Sequence, residues 1–405
     1  MNVIVGQSGG PTAVINSSLA GVIQAAMKAG AEKVYGMEYG IAGLLEERLI
    51  ELNKVFDEEM KIELLKRTPS SYLGSCRYKL KPFEENPTDY EKVFEILKKY
   101  EIDCFFYIGG NDSMDTIAKL SAYGKKIGSD IRFVGVPKTI DNDLMITDHT
   151  PGYGSAAKFV ATVMKEIVRD ATVYRTNYIT IVEIMGRNAG WLTAAAALAK
   201  GADCDGADMI CLPEVPFDID LFFERVAKLQ AEKGALVIAI SEGIKLPDGR
   251  YVCELADSAQ ELDTFGHKKL TGTAAFLAEE CSKRFKTKTR AIELSTLQRS
   301  ASHLASGTDI TEAYQVGGAA VLAAANGQSG VATTLVRLSN KPYQWTTGTV
   351  EIDKIANFEK TVPVEWINET GTDMLEPFFD YARPLIQGEL SPFFVDGLPC
   401  HNVRK

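Results

Sequence analysis

At 405 residues the chain exceeds one ordinary hydrophobic core, so two or three domains are expected. Hydrophobic residues make up 45% and charged residues 24%, a globular composition, and the net charge of −10 argues against nucleic acid, whose phosphates need a basic stripe. Small anionic ligands stay open, because local clusters rather than net charge hold them. No apolar run reaches the ~18 residues that a membrane span requires. The seven cysteines form no C-x-x-C pair and no basic leader precedes the first strand pattern, so reduced thiols and a cytoplasmic location are expected. The histidines at 149, 267, 303 and 401 are scattered and make no zinc motif.

In chain order, Asn2–Val5 reads as a short buried strand followed by a glycine-rich turn. Ile15, Leu19, Val22, Ile23, Ala26 and Met27 then recur at helical spacing, with Pro11 near the first turn, where its missing N–H costs nothing. Helical 90–100 leads to a strand at 104–108, the turn GGNDS and a helix at 114–122. Residues 132–136 form a strand ending in PKTIDND. Residues 178–184 form another ending in MGRNAG, followed by an alanine-rich helix at 191–200. Strands follow at 209–212 and 235–240, the latter ending in SEG; a strand at 291–297 leads to QRS, and a long helix runs over 310–325. Strands alternating with helices predict mostly parallel sheets covered on both faces, and seven strands suggest two such sheets. Residues 331–405 mix short strands with aromatic and proline-containing segments and carry no assignable chemistry.

Nearly every polar or glycine-rich cluster follows the C-terminal end of a strand, the edge where open α/β sheets bind ligands. Gly6-Gln7-Ser8-Gly9-Gly10 fits G-x-S-x-G, the elbow of a serine hydrolase, but equally a turn that cradles phosphate. In PKTIDND, Asp141 and Asp143 bracket Asn142, with Lys138 and Thr139 just before them. One carboxylate could take a proton from a substrate hydroxyl while the other holds a hydrated divalent cation; turn and cap residues are the plain alternative. Asn111 and Asp112 in GGNDS are either caps or part of a second phosphate turn. Arg187, Glu242 and Arg299 each occupy a post-strand position suited to phosphate or sugar hydroxyls, and each alone could be a surface ion pair. Together these are parts of a phosphoryl-transfer site, without a P-loop and without a dinucleotide fingerprint.

The segments QSGGPTAVIN, LGSCR, GGNDS, PKTIDND, MGRNAG, ISEG and LQR occur in the order and spacing of the 6-phosphofructokinase family, over roughly residues 1–325. The chain resembles the pyrophosphate-dependent branch, because Asp112 and Lys138 stand where ATP-using relatives carry glycine. The resemblance implies two Rossmann-like three-layer α/β domains. The first spans residues 1–140 and binds the phosphoryl donor, completed by about 255–300. The second spans 141–254 and binds fructose 6-phosphate, completed by about 301–330. Residues 331–405 follow as a C-terminal extension.

The activity it implies is reversible, Mg²⁺-dependent transfer from diphosphate to the sugar 1-hydroxyl, in glycolysis or gluconeogenesis, by a homodimer or homotetramer. Asp141 would be the base, with Lys138 and Asp112 beside it at the reacting phosphates. Gly9, Gly10, Arg77 and Lys138 would hold diphosphate. Thr139, Met185, Gly186, Arg187, Glu242, Thr296 and Arg299 would contact the sugar phosphate, with Arg290 reaching it from a neighbouring subunit. Asn111 and Asp143 would serve the metal. A carboxylate about 4 Å from a nucleotide α-phosphate would repel it by about 4 kcal/mol at an effective dielectric near 20, close to a thousandfold against ATP. Asn111 replaces the family's usual aspartate, Thr296 its His or Tyr, and Tyr178 the arginine of ATP-using bacterial enzymes. The last two departures leave room for sedoheptulose 7-phosphate as acceptor, and an ATP-dependent phosphofructokinase that merely carries the pyrophosphate-type residues is the other alternative.

Overall fold

The computed structural model describes residues 1–173, 176–255 and 272–404; His267 and part of the 255–300 segment lie outside them. The principal strands are β1 (Asn2–Gln7), β2 (Lys33–Met37), β3 (Leu49–Glu51), β4 (Ile102–Gly109), β5 (Arg132–Pro137) and β6 (Tyr178–Ile184). They continue with β7 (Met209–Cys211), β8 (Ala235–Ser241), β9 (Lys288–Glu293), β10 (Val331–Asn340) and β11 (Tyr343–Glu351). The chain divides into two compact units: residues 1–156, 299–359 and 384–405, and residues 157–298 with 360–383.

The first unit carries a seven-stranded sheet in the order β11-β10-β5-β4-β1-β2-β3. Pairing is parallel from β2 through β10, and antiparallel where β3 and β11 close the two ends. Strand periodicity sends alternate side chains to opposite faces. Val3, Val5, Phe106 and Ile108 pack with Leu19, Ile23, Val316 and Ala320 in one layer. Ile4, Phe105 and Tyr107 pack with Ile117 and Leu120 in the other. The result is a three-layer α/β unit with continuous apolar strands, as both-face burial requires.

The second unit carries four parallel strands in the order β7-β8-β6-β9. Ile179, Ile181, Leu236, Ile238 and Ile240 form its core with Phe222, Val226 and Leu277. Within the same unit Trp191, Trp366 and Tyr381 pack ring on ring, at centroid distances of 5.2–6.0 Å.

The helices fall where periodicity put them, as Ile15–Lys28, Pro87–Lys99, Asn111–Lys126 and Gly307–Ala325. Three expectations need correction. The strand expected at 291–297 is Lys288–Glu293: a sheet-edge strand mostly open to solvent needs no apolar run, so the apolar residues that follow it drew the reading too far. The helix expected over 191–200 is helical only at Trp191–Ala194 and tightens to a 3₁₀ turn over Ala195–Ala199. The segments thought to complete each domain exchange places. β9 pairs with β6 in the second unit, while helix Gly307–Ala325 and the β10–β11 hairpin join the first.

Candidate active site

In the first unit, β1 ends at Gln7 and the chain turns through Ser8, Gly9 and Gly10 into helix Ile15–Lys28. The buried Gln7 and Asn16 amides bond each other at 2.9 Å, and they accept the N–H groups of Leu73 and Tyr72. That pair fixes the approach to the LGSCR turn. The Ser75 hydroxyl then donates to the Gly9 carbonyl at 2.6 Å, and Gly9 N–H donates to the Cys76 carbonyl. Gly9 is left-handed, at φ 75°, and a Cβ there would meet the Lys138 amine at 3.4 Å; at Gly10 it would meet an Arg299 nitrogen at 3.1 Å. Backbone, lysine and arginine therefore converge on this turn. Arg77 is exposed beside it. Ser8 is buried, and its hydroxyl donates to the Cys76 carbonyl rather than to a histidine.

The PKTIDND turn brings its charges onto the same surface of this unit. Lys138 is 3% exposed and donates to the Gly10 carbonyl at 2.6 Å. Burial draws its amine down to about 8, against the pull of Asp141 and Asp143. The Thr139 hydroxyl donates to the Asp141 carboxylate at 3.2 Å and accepts the Asp141 N–H at 3.1 Å. Asn142 adopts φ 56°, which asparagine tolerates better than most residues. Burial raises the Asp141 carboxyl, opposed by Thr139, Lys138 and Arg299. Burial and then the Asp141 charge push Asp143 up to about 7. Arg299, half-buried, is lowered by burial and by Arg77, and is held charged by Asp141.

Residues 357–359 also reach this region, which the sequence did not signal. The Asn111 amide donates to the Phe358 carbonyl at 2.8 Å and accepts the Asn357 N–H at 3.0 Å, so both its polar ends hold that segment. Glu359 adds a further negative field at Asp141 and Asp143. Only Asn357, two residues before it, could have drawn attention, and asparagines are common in any turn. Asp112, at the start of helix Asn111–Lys126, is 77% exposed and pairs with Lys79 at 3.3 Å.

In the second unit, β6 ends in the MGRNAG turn and β8 in SEG. Met185 N–H donates to the Gln298 amide at 3.1 Å, and Gly186 N–H to the Glu242 carboxylate at 3.3 Å. The Ser241 hydroxyl donates to the Gly186 carbonyl at 2.5 Å. Gly243 approaches so closely that a Cβ there would lie 1.9 Å from the Arg187 carbonyl. Gly190 N–H and Val362 N–H both donate to Glu214, at 2.8 and 2.9 Å, and the Trp191 indole donates to the Lys360 carbonyl. Met185, Gly186, Arg187 and Glu242 are thus brought together. Thr296 is exposed beyond the end of β9. Arg290 is not brought to them: it pairs in register with Thr180, five residues before Met185, or about 16 Å along the strand. It stacks over Tyr178 and faces Asp170 at 3.6 Å.

Two turns rich in phosphate-binding groups, on a sheet of this order, have a recognised counterpart. A phosphofructokinase family profile matches residues 2–324. The chain belongs to the phosphofructokinase family. It is 42% identical over 402 residues to the pyrophosphate–fructose 6-phosphate 1-phosphotransferase of Halomonas elongata, covering 98% of this chain and 94% of that one. The protein of the same name from Methylococcus capsulatus is 40% identical over the same shares. The crystal structure of a pyrophosphate-dependent phosphofructokinase from Nitrosospira multiformis superposes with a TM-score of 0.89 at 37% identity, over 99% of this chain and 95% of that one. The corresponding Marinobacter aquaeolei structure gives 0.88 at 38% identity, over 99% and 95%.

Proposed function

We propose that the chain transfers a phosphoryl group reversibly between pyrophosphate and the 1-hydroxyl of fructose 6-phosphate, yielding fructose 1,6-bisphosphate and phosphate. The observation that carries the donor assignment is the buried Lys138 amine, anchored on Gly10 within a turn whose relatives, at about 40% identity, are named for pyrophosphate. Asp141 takes the proton of the sugar 1-hydroxyl, and the oxygen of that hydroxyl forms the new bond to phosphorus as the bridging P–O bond of pyrophosphate breaks. Thr139 holds Asp141, Lys138 and Arg77 balance the charge of the leaving phosphate, and Arg299 is assigned to the sugar 6-phosphate. Gly186, Arg187 and Glu242 are assigned to the sugar phosphate, and Thr296 stands at the margin of that assignment.

The residues present fit a divalent cation, Mg²⁺ in our reading, that arrives with the substrate. Among the described residues no three acidic, histidine or cysteine side chains form a cage, and Mg²⁺ is usually held by one or two carboxylates plus phosphate oxygens and water. Asp143 would supply the carboxylate, with Asn111 acting through the segment it holds. When bound, the cation would neutralise phosphate oxygens. We further assign Arg290 to a neighbouring subunit's sugar phosphate in a homodimer or homotetramer, on the strength of its distance from its own MGRNAG turn. Seven free cysteines fit a reducing, cytoplasmic setting, and the proposed reaction fits a role in glycolysis or gluconeogenesis. No helix among the described residues is long and apolar enough to cross a membrane.

Initial rates of purified enzyme with pyrophosphate and with ATP, at saturating fructose 6-phosphate and Mg²⁺, test the reading. Turnover confined to pyrophosphate is expected, and equal or faster turnover with ATP would overturn it. Sedoheptulose 7-phosphate in the same assay reads the acceptor.

A further inference from the structure

His149 sits in the loop between β5 and helix Tyr153–Ala171 and has no part in the chemistry above. Its ring is 1% exposed, with Nδ1 2.7 Å from Asp148 Oδ2 and Nε2 2.7 Å from Glu312 Oε2. A neutral imidazole has one N–H, so it can donate to only one of two ionised carboxylates and must set a lone pair against the other. An imidazolium donates to both. The groups around it complete the balance. Arg337 on β10 bonds both Asp148 oxygens at 2.9–3.1 Å, and the Tyr343 hydroxyl on β11 donates to Glu312 Oε1 at 2.5 Å. Asp309, one turn before Glu312, accepts the N–H groups of Gly152 and Ser155, and Tyr153 lies within the field of Arg337. With the ring charged, Asp148 and Glu312 face His149 and Arg337, two against two. With it neutral, a buried charge is left over, which is costly.

The residue after His149 braces the catalytic turn. Thr150 N–H donates to the Asn142 side chain at 3.0 Å, and its hydroxyl donates to the Thr139 carbonyl at 2.8 Å. Thr139 N–H donates back to the Pro151 carbonyl at 3.2 Å. Thr139 and Asn142 flank Asp141 in sequence. We propose that His149, as a buried imidazolium, is a positioning residue for Asp141: it locks the Thr150 brace to helix Gly307–Ala325 and the β10–β11 hairpin. Burial alone would lower the ring, but Glu312 and Asp148 outweigh it and lift it to about 9. A group raised in the folded state stabilises it fully below its ordinary value of 6.5, and that contribution is lost as pH rises through about 9.

The first test reads the wild-type ring directly and needs no activity. Nitrogen-15 spectra of the His-labelled, full-length protein at pH 7.5, assigned with His149→Gln, should show one ring protonated at both nitrogens that deprotonates only at alkaline pH. A neutral ring at pH 7.5 would overturn the proposal. The second test rests on the phosphotransferase reading. His149→Gln should lower kcat with pyrophosphate on the order of ten- to a hundredfold, the scale of a misplaced catalytic group, with both KM values nearly unchanged. His149→Gln with Glu312→Gln restores neutrality and should recover most of that loss. Unchanged kcat in the single variant, or no recovery in a folded double variant, would overturn the positioning role. If His149→Gln fails to fold, Tyr343→Phe, which removes one donor from Glu312, should show a smaller loss confined to kcat. Wild-type protein inactive with pyrophosphate would sink the functional reading while leaving the spectral result standing.

Discussion

The PKTIDND turn of the first unit and the MGRNAG turn of the second follow parallel strands in the same way, yet the first is held by its own side chains and the second by its backbone. PKTIDND is held by side chains: Thr139 on Asp141, Lys138 on Gly10, Thr150 on Asn142. MGRNAG is held through its backbone, clasped by side chains of other segments, Gln298 on Met185, Glu242 and Ser241 on Gly186 and Glu214 on Gly190, with Gly243 close against the Arg187 carbonyl. Anchoring through a turn's own side chains keeps buried charges whose protonation can serve a reaction. A backbone clasped from outside fixes a shape, which suits recognition. The contrast predicts that polar substitutions in the first turn act on turnover, whereas added bulk in the second acts on affinity.

The largest effect belongs to Asp141→Asn. The amide keeps the size and can still accept from Thr139 but takes no proton, so kcat should fall on the order of 10²–10⁴-fold, the usual contribution of a general base. The melting temperature should hold or rise, because a buried carboxylate is removed. Retained turnover would place the base elsewhere and dissolve the contrast.

A smaller effect tests how the second turn is anchored at its start. Glu183, two residues before Met185, accepts the Ala274 N–H at 2.8 Å at the start of helix Thr273–Phe285. Burial pushes its carboxyl up to about 7, only partly offset by that helix end. The folded state therefore favours the protonated acid. Its contribution is full below the ordinary 4.5 and is lost as pH rises through about 7. Urea unfolding of a Trp345→Phe protein, followed by the fluorescence of Trp191 and Trp366 in this unit, should show stability falling from pH 5 to pH 7.5. Glu183→Gln should flatten that slope. An equal slope in the variant would assign it to other groups.

Gly243→Ala comes next. The new Cβ has nowhere to go without moving the Arg187 carbonyl, and overpacking of this kind costs about 1–3 kcal/mol. If Arg187 moves with it, KM for fructose 6-phosphate should rise about tenfold, with a smaller change in kcat. A fall in kcat alone would mean that this turn serves the chemistry rather than recognition.

Much of this was legible in the sequence, for a physical reason: apolar strands with a glycine or an acid just past their ends write a ligand edge directly into the string. Residues 2–5, 104–108 and 132–136 lie inside strands of the first sheet, and the motifs after them line one surface of that unit. What stayed hidden was long-range. β10 and β11 are half-polar strands, and the hairpin joins the sheet through β10 pairing with β5, some two hundred residues away. The clasp of Asn111 on residues 357–358 joins positions 246 and 247 residues apart. His149 looked isolated because Glu312, its second partner, lies 163 residues downstream. Local pattern locates turns; only the fold says which side chains meet there.

The smallest effect sharpens the donor side of the comparison. From sequence, Asp112 looks able to exclude ATP by about a thousandfold, provided its carboxylate meets the α-phosphate in a medium of low dielectric. In the structure it is 77% exposed and paired with Lys79, which screens it. The bulk-water limit at the same separation is about 1 kcal/mol, or roughly fivefold. Asp112→Gly should therefore raise kcat/KM with ATP only about fivefold and leave the pyrophosphate reaction nearly unchanged. Most of the discrimination then rests with Lys138, which is buried, hydrogen-bonded and unscreened by water. A gain of several hundredfold would show instead that Asp112 turns inward and loses its water when donor binds. The first turn would then owe its selectivity to a charge that becomes buried only in the complex.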